Sequence, residues 1–229
     1  MQHRITSRPT NLRFSARALR VLKTAVISLC CLLSVGAGGI TVRQSTQAPA
    51  QLSATIAQGP ATESPAQKYF TDVVLVNQNG EKMRLYSDLL KGKVVIINSF
   101  FATCQGSCLP MNRNLEKVQE AMGDRVGKEV YIISISVDPV VDSPAKLKEY
   151  AKKLHARPGW YFLTGEKQNV ELALHKLGEY VADKQDHLNI FIIGNERSGL
   201  WKKAFGLAPS DELVKVVLSV LNDQPSDDK

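Results

Sequence analysis

The chain has 229 residues, of which 44% are hydrophobic and 22% are charged, a composition typical of a globular protein with a sizeable core. The formal net charge is +7, but residues 1–62 contain seven Lys and Arg residues and no Asp or Glu. From Glu63 onward, 22 basic residues (29 minus seven) balance 22 acidic ones. The body of the protein is therefore neutral as a whole, which argues against a basic face and predicts that nucleic acid is not a partner.

An apolar segment follows the basic leader. Residues 24–42 contain no charged side chain, and a helix of this length reaches roughly 28 Å, enough to cross the hydrocarbon core of a bilayer. The basic leader, residues 1–23, is expected on the cytoplasmic or matrix side of that membrane. We therefore predict a single N-terminal transmembrane helix, with a cleaved signal segment as the alternative. The soluble part is expected in the periplasm, anchored to the inner membrane, or in the mitochondrial intermembrane space.

A linker and one domain follow the apolar segment. Residues 43–67 consist mostly of Ala, Gln, Ser, Thr and Pro, which predicts a flexible linker. Alternating and continuous apolar runs then occupy residues 68–225, the predicted domain. Asn79-Gly80 indicates a hairpin, and the apolar run 93–101 indicates a strand buried on both faces. The predicted order β-β-β-α-β-α-β-α-β-β-α implies an α/β sandwich with a mixed central sheet flanked by helices.

Two cysteines lie where this buried strand turns into a helix. Cys104 and Cys108 fall within SFFATCQGSCLPMN, and Pro110 suits the first turn of the following helix. The carboxyl ends of strands are where open α/β sheets gather their sites. A helix N-terminus lowers a thiol pKa, and four-residue spacing on one helical turn would place both sulfur atoms on the same face.

Three interpretations of this pair stay open at this point. A structural disulfide would close only a short loop, where the stabilisation is smallest. Alternatively, Cys104 and Cys108 form a catalytic redox dithiol, or they provide two ligands of a metal site. The remaining cysteines, Cys30 and Cys31, lie inside the apolar segment and are interpreted as apolar side chains compatible with a membrane helix, without a role in a site.

A metal site needs a third ligand beside the two cysteines, and the histidines are the candidates. His155 and His175 lie among charged residues on predicted helices, which indicates solvated surface positions. His187 instead lies directly before the predicted strand 188–194. We expect this strand to neighbour the cysteine-bearing strand, so that its preceding loop faces the dithiol. Asp186 is predicted to orient the His187 ring through a hydrogen bond.

The motifs FFATCQGSCLPM, IISISVDPVVDSPAKLKEYAKKL, GWYFLTG and DHLNIFIIG resemble the SCO/SenC family of membrane-anchored, thioredoxin-like proteins. The resemblance covers about residues 69–222. It implies a thioredoxin-like fold and a copper ion, Cu(I) or Cu(II), held by Cys104, Cys108 and His187. It further implies a role in assembling the binuclear copper centre of cytochrome c oxidase, while some family members act as thiol–disulfide reductants.

The chain departs from the common family pattern between the cysteines. The family usually reads Cys-Pro-x-x-Cys-Pro, whereas this chain has Gln105, Gly106 and Ser107, with its proline one position later at Pro110. These changes leave the three implied ligands intact. They put the family's copper affinity, redox potential and partner surface in doubt for this chain. Asp138 of the SVDP motif is a candidate supporting or partner-contact residue, although an Asp-Pro turn explains it equally well.

Three functions were weighed. The favoured one is a copper metallochaperone, whose partners are the copper-centre subunit of cytochrome c oxidase or other thiol- and copper-handling proteins. The alternatives are a thiol–disulfide oxidoreductase and a thiol peroxidase. Ordinary thioredoxin-like oxidoreductases resemble one another in a proline that faces the dithiol, but this chain has none between Pro158 and Pro209. A peroxidase gives His187 no clear task. Whether the protein is also an enzyme is left open by the sequence.

Overall fold

The computed structural model describes residues 64–225. The strands are β1 Val74–Asn77, β2 Lys82–Arg84, β3 Val94–Phe100, β4 Val130–Ser136, β5 Trp160–Thr164, β6 Ile190–Asn195 and β7 Leu200–Phe205. The helices are α1 Pro65–Phe70, α2 Cys108–Met122, α3 Pro144–Lys153, α4 Lys167–Leu177 and α5 Ser210–Leu221. A π-helical turn, Leu85–Leu90, and two 3₁₀ turns, Gly123–Arg125 and Lys184–Asp186, complete the described elements. Apart from the short α1, this is the predicted order of strands and helices.

The predicted leader and transmembrane segment, residues 1–23 and 24–42, lie outside the described residues, as does most of the predicted linker. Among residues 64–225, no helix combines the length and apolar character needed to cross a bilayer. Residues 65–67, which were predicted as the end of the linker, instead begin α1. Ser64 caps this helix by accepting a hydrogen bond from Gln67, and a proline occupies its first turn.

One seven-stranded mixed sheet forms the centre of the domain, in the order β2-β1-β5-β4-β3-β6-β7. The strands β3, β4 and β5 run parallel, whereas β6 pairs antiparallel with the other side of β3. Their register places Ile96 of β3 opposite Ile193 of β6. This arrangement confirms the thioredoxin-like α/β fold that was expected. It also brings the end of β3 and the beginning of β6 to the same edge of the sheet.

Two cores cover the faces of the sheet. One core packs Ile96 and Phe100 of β3 against α2, α3 and α5, and the other packs Val95 and Ile97 against α4 and the π-helical turn. All seven residues of β3 are buried, which confirms the prediction of a strand covered on both faces. A rigid central strand therefore supports the segment that carries the cysteines.

Candidate metal centre

Three predicted site residues meet at the carboxyl end of β3. Cys104 lies in the dithiol segment, residues 101–108, which connects β3 to α2, and Cys108 is the first residue of α2. His187 lies in the histidine segment, residues 184–189, immediately before β6. The Cys108 Sγ and His187 Nε2 atoms are 3.0 Å apart, and the ligand atoms of all three residues lie within 4.8 Å of one another. The predicted neighbouring strands and facing loop are confirmed.

The structure corrects the predicted placement of the cysteines. The helix α2 begins at Cys108, so that Pro110 lies in its first turn, as predicted, where its missing N–H would have no helical acceptor. Cys104 therefore lies in the preceding loop and does not share a helical turn with Cys108. A turn in which the Cys104 N–H donates to the Phe101 carbonyl, at 3.1 Å, brings Cys104 back toward the helix. No disulfide joins the two cysteines in the structure.

The two thiols have different surroundings. Cys108 is completely buried, whereas Cys104 is partly exposed. Burial, together with a smaller contribution from the neighbouring Cys104, raises the pKa of the Cys108 thiol from 9.0 to about 12. The prediction of a lowered thiol pKa at this helix N-terminus is therefore wrong for Cys108, because the loss of hydration outweighs the helix dipole. Without a metal, Cys108 is a protonated thiol.

The His187 ring is oriented by a backbone carbonyl. Its Nδ1 atom lies 3.0 Å from the carbonyl oxygen of Lys184, which can only accept a hydrogen bond, so Nδ1 carries the proton. The Nε2 lone pair is then directed at Cys108, where it accepts the S–H or binds a metal. The prediction that Asp186 orients the ring is wrong. The Phe101 ring packs edge-to-face with the imidazole, with ring centroids 5.5 Å apart, and limits its rotation.

A surface ion pair holds the histidine segment. The Lys184 Nζ atom lies 2.7 Å from Asp138 Oδ2 and also stands over the Phe101 ring, 5.3 Å from its centroid. Asp138 is fixed in turn because its N–H donates to Ser136 Oγ at the end of β4. Asp138 thus supports His187 indirectly. Sequence reasoning singled out Asp138 but missed Lys184, which carries no local signal of its role.

Comparisons with known proteins identify the family of this chain. The SCO1/SenC family model matches residues 61–206, more than half of the chain. The chain belongs to the SCO1/SenC family. A SCO1 protein homolog of Bacillus subtilis is 36% identical over 94 residues, 41% of this chain and 47% of the relative. A SCO2-like protein of Rickettsia conorii is 32% identical over 112 residues, 48% of this chain and 52% of the relative. The chain spans about half the length of these curated relatives.

Solved structures of the family have the same fold. Yeast Sco1 with copper bound is 26% identical, with a TM-score of 0.57 over 69% of this chain and 95% of the yeast chain. BsSco, described as a member of the Sco family of cytochrome c oxidase assembly proteins with a disulfide switch, is 28% identical. Its TM-score is 0.56, over 68% of this chain and 94% of that chain. These likenesses identify the thioredoxin-like domain as the common part.

A buried carboxylate fixes the dithiol segment of this SCO1/SenC protein. Asp142 is completely buried, and its Oδ2 atom accepts hydrogen bonds from the Ala102 N–H at 2.9 Å and the Ser136 hydroxyl at 2.6 Å. These bonds tie the start of the dithiol segment to the end of β4. At the other end of the segment, the Ser107 hydroxyl donates to Asn189 Oδ1 of the histidine segment. Sequence reasoning missed Asp142, although it follows the SVDP motif by only three residues.

A second buried acid lies near the end of β3. Glu179 follows α4 and is completely buried, and it accepts a hydrogen bond from the Ser99 hydroxyl at 2.9 Å. Burial raises the pKa of Glu179 from 4.5 to about 7, partly offset by the Ser99 hydrogen bond and by Lys203. Because Ser99 is only five residues before Cys104, Glu179 supports the strand from which the dithiol segment leaves.

The other two described histidines stay on the surface, as predicted. The His155 side chain is 77% exposed and pairs with Glu116 on α2. His175 is exposed on α4 and stacks on Tyr180, with ring centroids 3.8 Å apart. Neither belongs to the cluster formed by Cys104, Cys108 and His187. Within residues 64–225, that cluster is the only group of three or more His, Cys, Asp or Glu side chains arranged to hold a metal ion.

Proposed function

We propose that this protein holds one copper ion through Cys104, Cys108 and His187 and delivers it during assembly of the copper centre of cytochrome c oxidase. The observation that carries the proposal is the convergence of two sulfur atoms and the His187 imidazole within 4.8 Å, with Nε2 facing Cys108. Sulfur ligands favour Cu(I), while an imidazole also suits Cu(II), so this donor set suits copper in both oxidation states. The copper named for yeast Sco1 supports the same metal here.

The size and protonation of the cluster fit a single ion. At metal bond lengths of about 2 Å to nitrogen and about 2.3 Å to sulfur, one ion would reach ligand atoms up to about 4.6 Å apart, so a cluster within 4.8 Å would need only a small adjustment to hold it. Because Cys108 is a thiol before binding, copper must displace its proton, and loading releases protons. The Nδ1–H bond to the Lys184 carbonyl fixes the tautomer that binding requires.

The surroundings of the cluster suit transfer to another protein. Cys104 is partly exposed, so a ligand of the recipient can approach the ion from this side. The exposed apolar side chains of Leu109 and Leu188, at 41% and 44% exposure, each lie next to a ligand in the sequence. Apolar side chains around a buried centre are typical of docking surfaces. We therefore propose the copper-centre subunit of cytochrome c oxidase, or another copper-handling protein, as the recipient.

We also propose the membrane location suggested by the sequence. The charge-free segment 24–42 and its basic leader 1–23 support an inner-membrane anchor, with the domain in the periplasm or the intermembrane space. Release of the full chain from membranes by alkaline carbonate would contradict the anchor. Protease accessibility of the domain in intact cells stripped of their outer membrane, or in mitochondria, would establish the side.

A thiol–disulfide reductase is the second candidate, and the unequal exposure of the cysteines favours it. The Cys104 thiolate would attack a partner disulfide, form a mixed disulfide and release one partner thiol. The Cys108 sulfur would then attack Cys104 Sγ, forming the Cys104–Cys108 disulfide and releasing the second partner thiol. Two electrons pass from the dithiol to the partner. This reaction and copper binding use the same reduced cysteines and do not exclude each other.

Copper stoichiometry of the reduced full chain, measured without oxygen, tests the proposal. We expect one copper per chain, and His187→Ala should weaken binding by more than about 100-fold, since even outer-sphere changes cost 10- to 100-fold. His175→Ala, which removes an exposed histidine, is the matched control and should bind as the wild type does. Copper affinity that is unchanged in His187→Ala would overturn the three-ligand site. The thiol–disulfide reductase would then be the remaining candidate function.

Transfer distinguishes a chaperone from a protein that merely binds copper. The copper-loaded full chain is mixed with the metal-free soluble copper-centre domain of an oxidase subunit, and the appearance of that centre is followed by its absorption. Transfer from the wild type, and none from the metal-free chain plus an equal amount of chelated copper, would support delivery. Retention of copper by the loaded chain would contradict it.

A further inference from the structure

An open cleft lies at the end of the domain opposite the metal centre. Its volume is about 570 Å³, and we call it the basic cleft because five cationic side chains and only one carboxylate, that of Glu129, line it. The cations are those of Lys91, Lys93, Arg125, Lys128 and Arg197. The neutrality of the whole body concealed this local concentration of charge. The prediction that the body has no basic face is therefore wrong.

The sheet places the basic cleft and the metal centre at opposite edges. Lys93 immediately precedes β3, and Lys128 lies just before β4, while Arg197 follows β6, which runs in the opposite direction. Cys104 leaves the other end of β3. Seven residues of strand at about 3.3 Å each separate the two edges by roughly 20 Å.

Three of the five cations are available to a ligand. Arg125 pairs with Glu129 at 3.1 Å. Lys93 is partly buried, donates a hydrogen bond to the Asp88 carbonyl and stands over the Tyr131 ring. The other three, Lys91, Lys128 and Arg197, are exposed, and none of them forms an ion pair within residues 64–225. The cleft thus presents a multivalent positive surface to the solvent.

The chain enters the described domain beside this cleft. The Ser64 hydroxyl lies 3.1 Å from the Tyr86 hydroxyl, which donates to Glu196 at 2.8 Å. The other carboxylate oxygen of Glu196 accepts from the N–H of Gly92, which lines the cleft. Only 21 residues, 43–63, separate the apolar segment 24–42 from Ser64.

We propose that the basic cleft docks on anionic phospholipid headgroups of the membrane in which segment 24–42 is anchored. Opposite charge supplies the attraction, and the short linker supplies a high effective concentration of the cleft at that surface. A soluble anion explains the observations less well, because the cleft is open and its free cations project into solvent instead of enclosing a single ligand. Docking would turn Cys104 and His187 away from the bilayer, toward a recipient.

The inference rests on the proposed anchor and not on copper binding. The full chain is reconstituted in nanodiscs of phosphatidylcholine, with or without about one-third phosphatidylglycerol, and its lysines are acetylated under limiting conditions. In anionic nanodiscs we expect Lys91 and Lys128 to react at least about fivefold more slowly than in neutral ones, a change that corresponds to one basic residue at an anionic surface. Lys148 and Lys153, exposed on α3, should keep their rates.

A paired charge variant removes cations but keeps the lysine probes. The double variant R125Q/R197Q removes the free cation Arg197 and, by removing Arg125, leaves the Glu129 carboxylate unpaired, so the cleft loses two positive charges. At about fivefold per charge, docking should weaken about 25-fold and Lys91 and Lys128 should react at their neutral-lipid rates. The double variant R113Q/R157Q changes the net charge equally but lies outside the cleft, and it should keep the protection. Raising the salt to about 0.5 M should abolish protection in every case.

Each contrary outcome overturns the inference. Equal lysine rates in neutral and anionic nanodiscs would show that lipid charge has no effect on the cleft, and equal behaviour of the two double variants would assign any effect to net charge. Failure of the chain to remain with neutral nanodiscs would remove the anchor on which docking depends. Copper stoichiometry is measured separately, so none of these results bears on the metal centre.

Discussion

The dithiol segment is held by buried contacts, whereas the histidine segment is held mainly by contacts near the surface. In the first, completely buried Asp142 binds Ala102, and completely buried Cys108 begins a helix whose inner face lies in the core. In the second, the ion pair of Lys184 with Asp138 lies nearer the surface, with side chains that are 38% and 12% exposed. Deep burial makes contacts costly to break, and exposed ion pairs contribute little to the free energy of unfolding.

From this difference we expect the position of His187 to depend on the contacts of Lys184, and the position of Cys108 to depend on the buried contacts of the dithiol segment. A centre with one replaceable ligand suits a protein that must both hold an ion and release it. Substitutions in the two segments should therefore separate stability from metal affinity.

The largest effect on stability is expected from Asp142→Ala. The substitution leaves the buried Ser136 hydroxyl and the Ala102 N–H without their acceptor, and at 1–3 kcal/mol for each such group we expect a loss of about 4 kcal/mol. Urea unfolding of the full chain measures it. Asp186→Ala, at an exposed position, is the control. A loss for Asp142→Ala as small as that of the control would contradict the buried anchoring of the dithiol segment.

Glu179, which also belongs to the buried support of the dithiol segment, should make the free energy of unfolding depend on pH. Its pKa is about 7 in the folded protein and 4.5 ordinarily, so the folded state binds the proton more tightly. The free energy of unfolding therefore falls as the pH rises from about 4.5 to about 7, by about 3 kcal/mol, and this contribution is constant above that range.

Glu179→Gln should remove this decline because an amide does not ionise. The free energy of unfolding is measured with urea at several pH values for the variant and for the wild type. The value of the variant minus that of the wild type should increase from pH 4.5 to pH 7. Other titrating groups cancel in the difference. A difference independent of pH would show that Glu179 does not retain its proton in the folded protein.

Lys184→Gln is expected to have the smallest effect on stability but to lower the affinity for copper. Loss of the pair with Asp138 should lower the free energy of unfolding by about 1 kcal/mol, the upper end for a surface pair, because the Asp138 side chain is only 12% exposed. Copper affinity should fall about tenfold, because the Lys184 carbonyl then orients His187 less firmly. Lys152→Gln, which breaks the exposed pair with Glu149, should change neither quantity. Unchanged copper affinity in Lys184→Gln would contradict the role of the surface support.

The sequence predicted the layout of the site better than its physical state. Apolar periodicity and turn residues gave the order of the elements, and the adjacency of β3 and β6 followed from the topology. The position of Cys104 outside α2 was missed because Pro110 marks a first helical turn without fixing which residue begins it. The raised pKa of Cys108 depends on burial by distant residues. Such long-range packing has no signature in a local motif.

Two local backbone arrangements and one cluster of distant residues explain the other misses. Asp186 is next to His187 in sequence, yet the ring is oriented by the carbonyl of Lys184, which the 3₁₀ turn brings within reach. The basic cleft joins residues from four parts of the chain, so composition alone gave a neutral body. Residues 65–67 resemble a linker in composition, but Ser64 and a following proline start a helix there.

X-ray absorption at the copper edge tests the central claim most directly. The full chain loaded with Cu(I) should show two sulfur ligands and one imidazole nitrogen, from Cys104, Cys108 and His187. His187→Ala should lose the nitrogen and keep both sulfur atoms, because the dithiol segment is held independently of the histidine segment. A copper site with fewer than two sulfur ligands, or one whose nitrogen survives the loss of His187, would contradict the account.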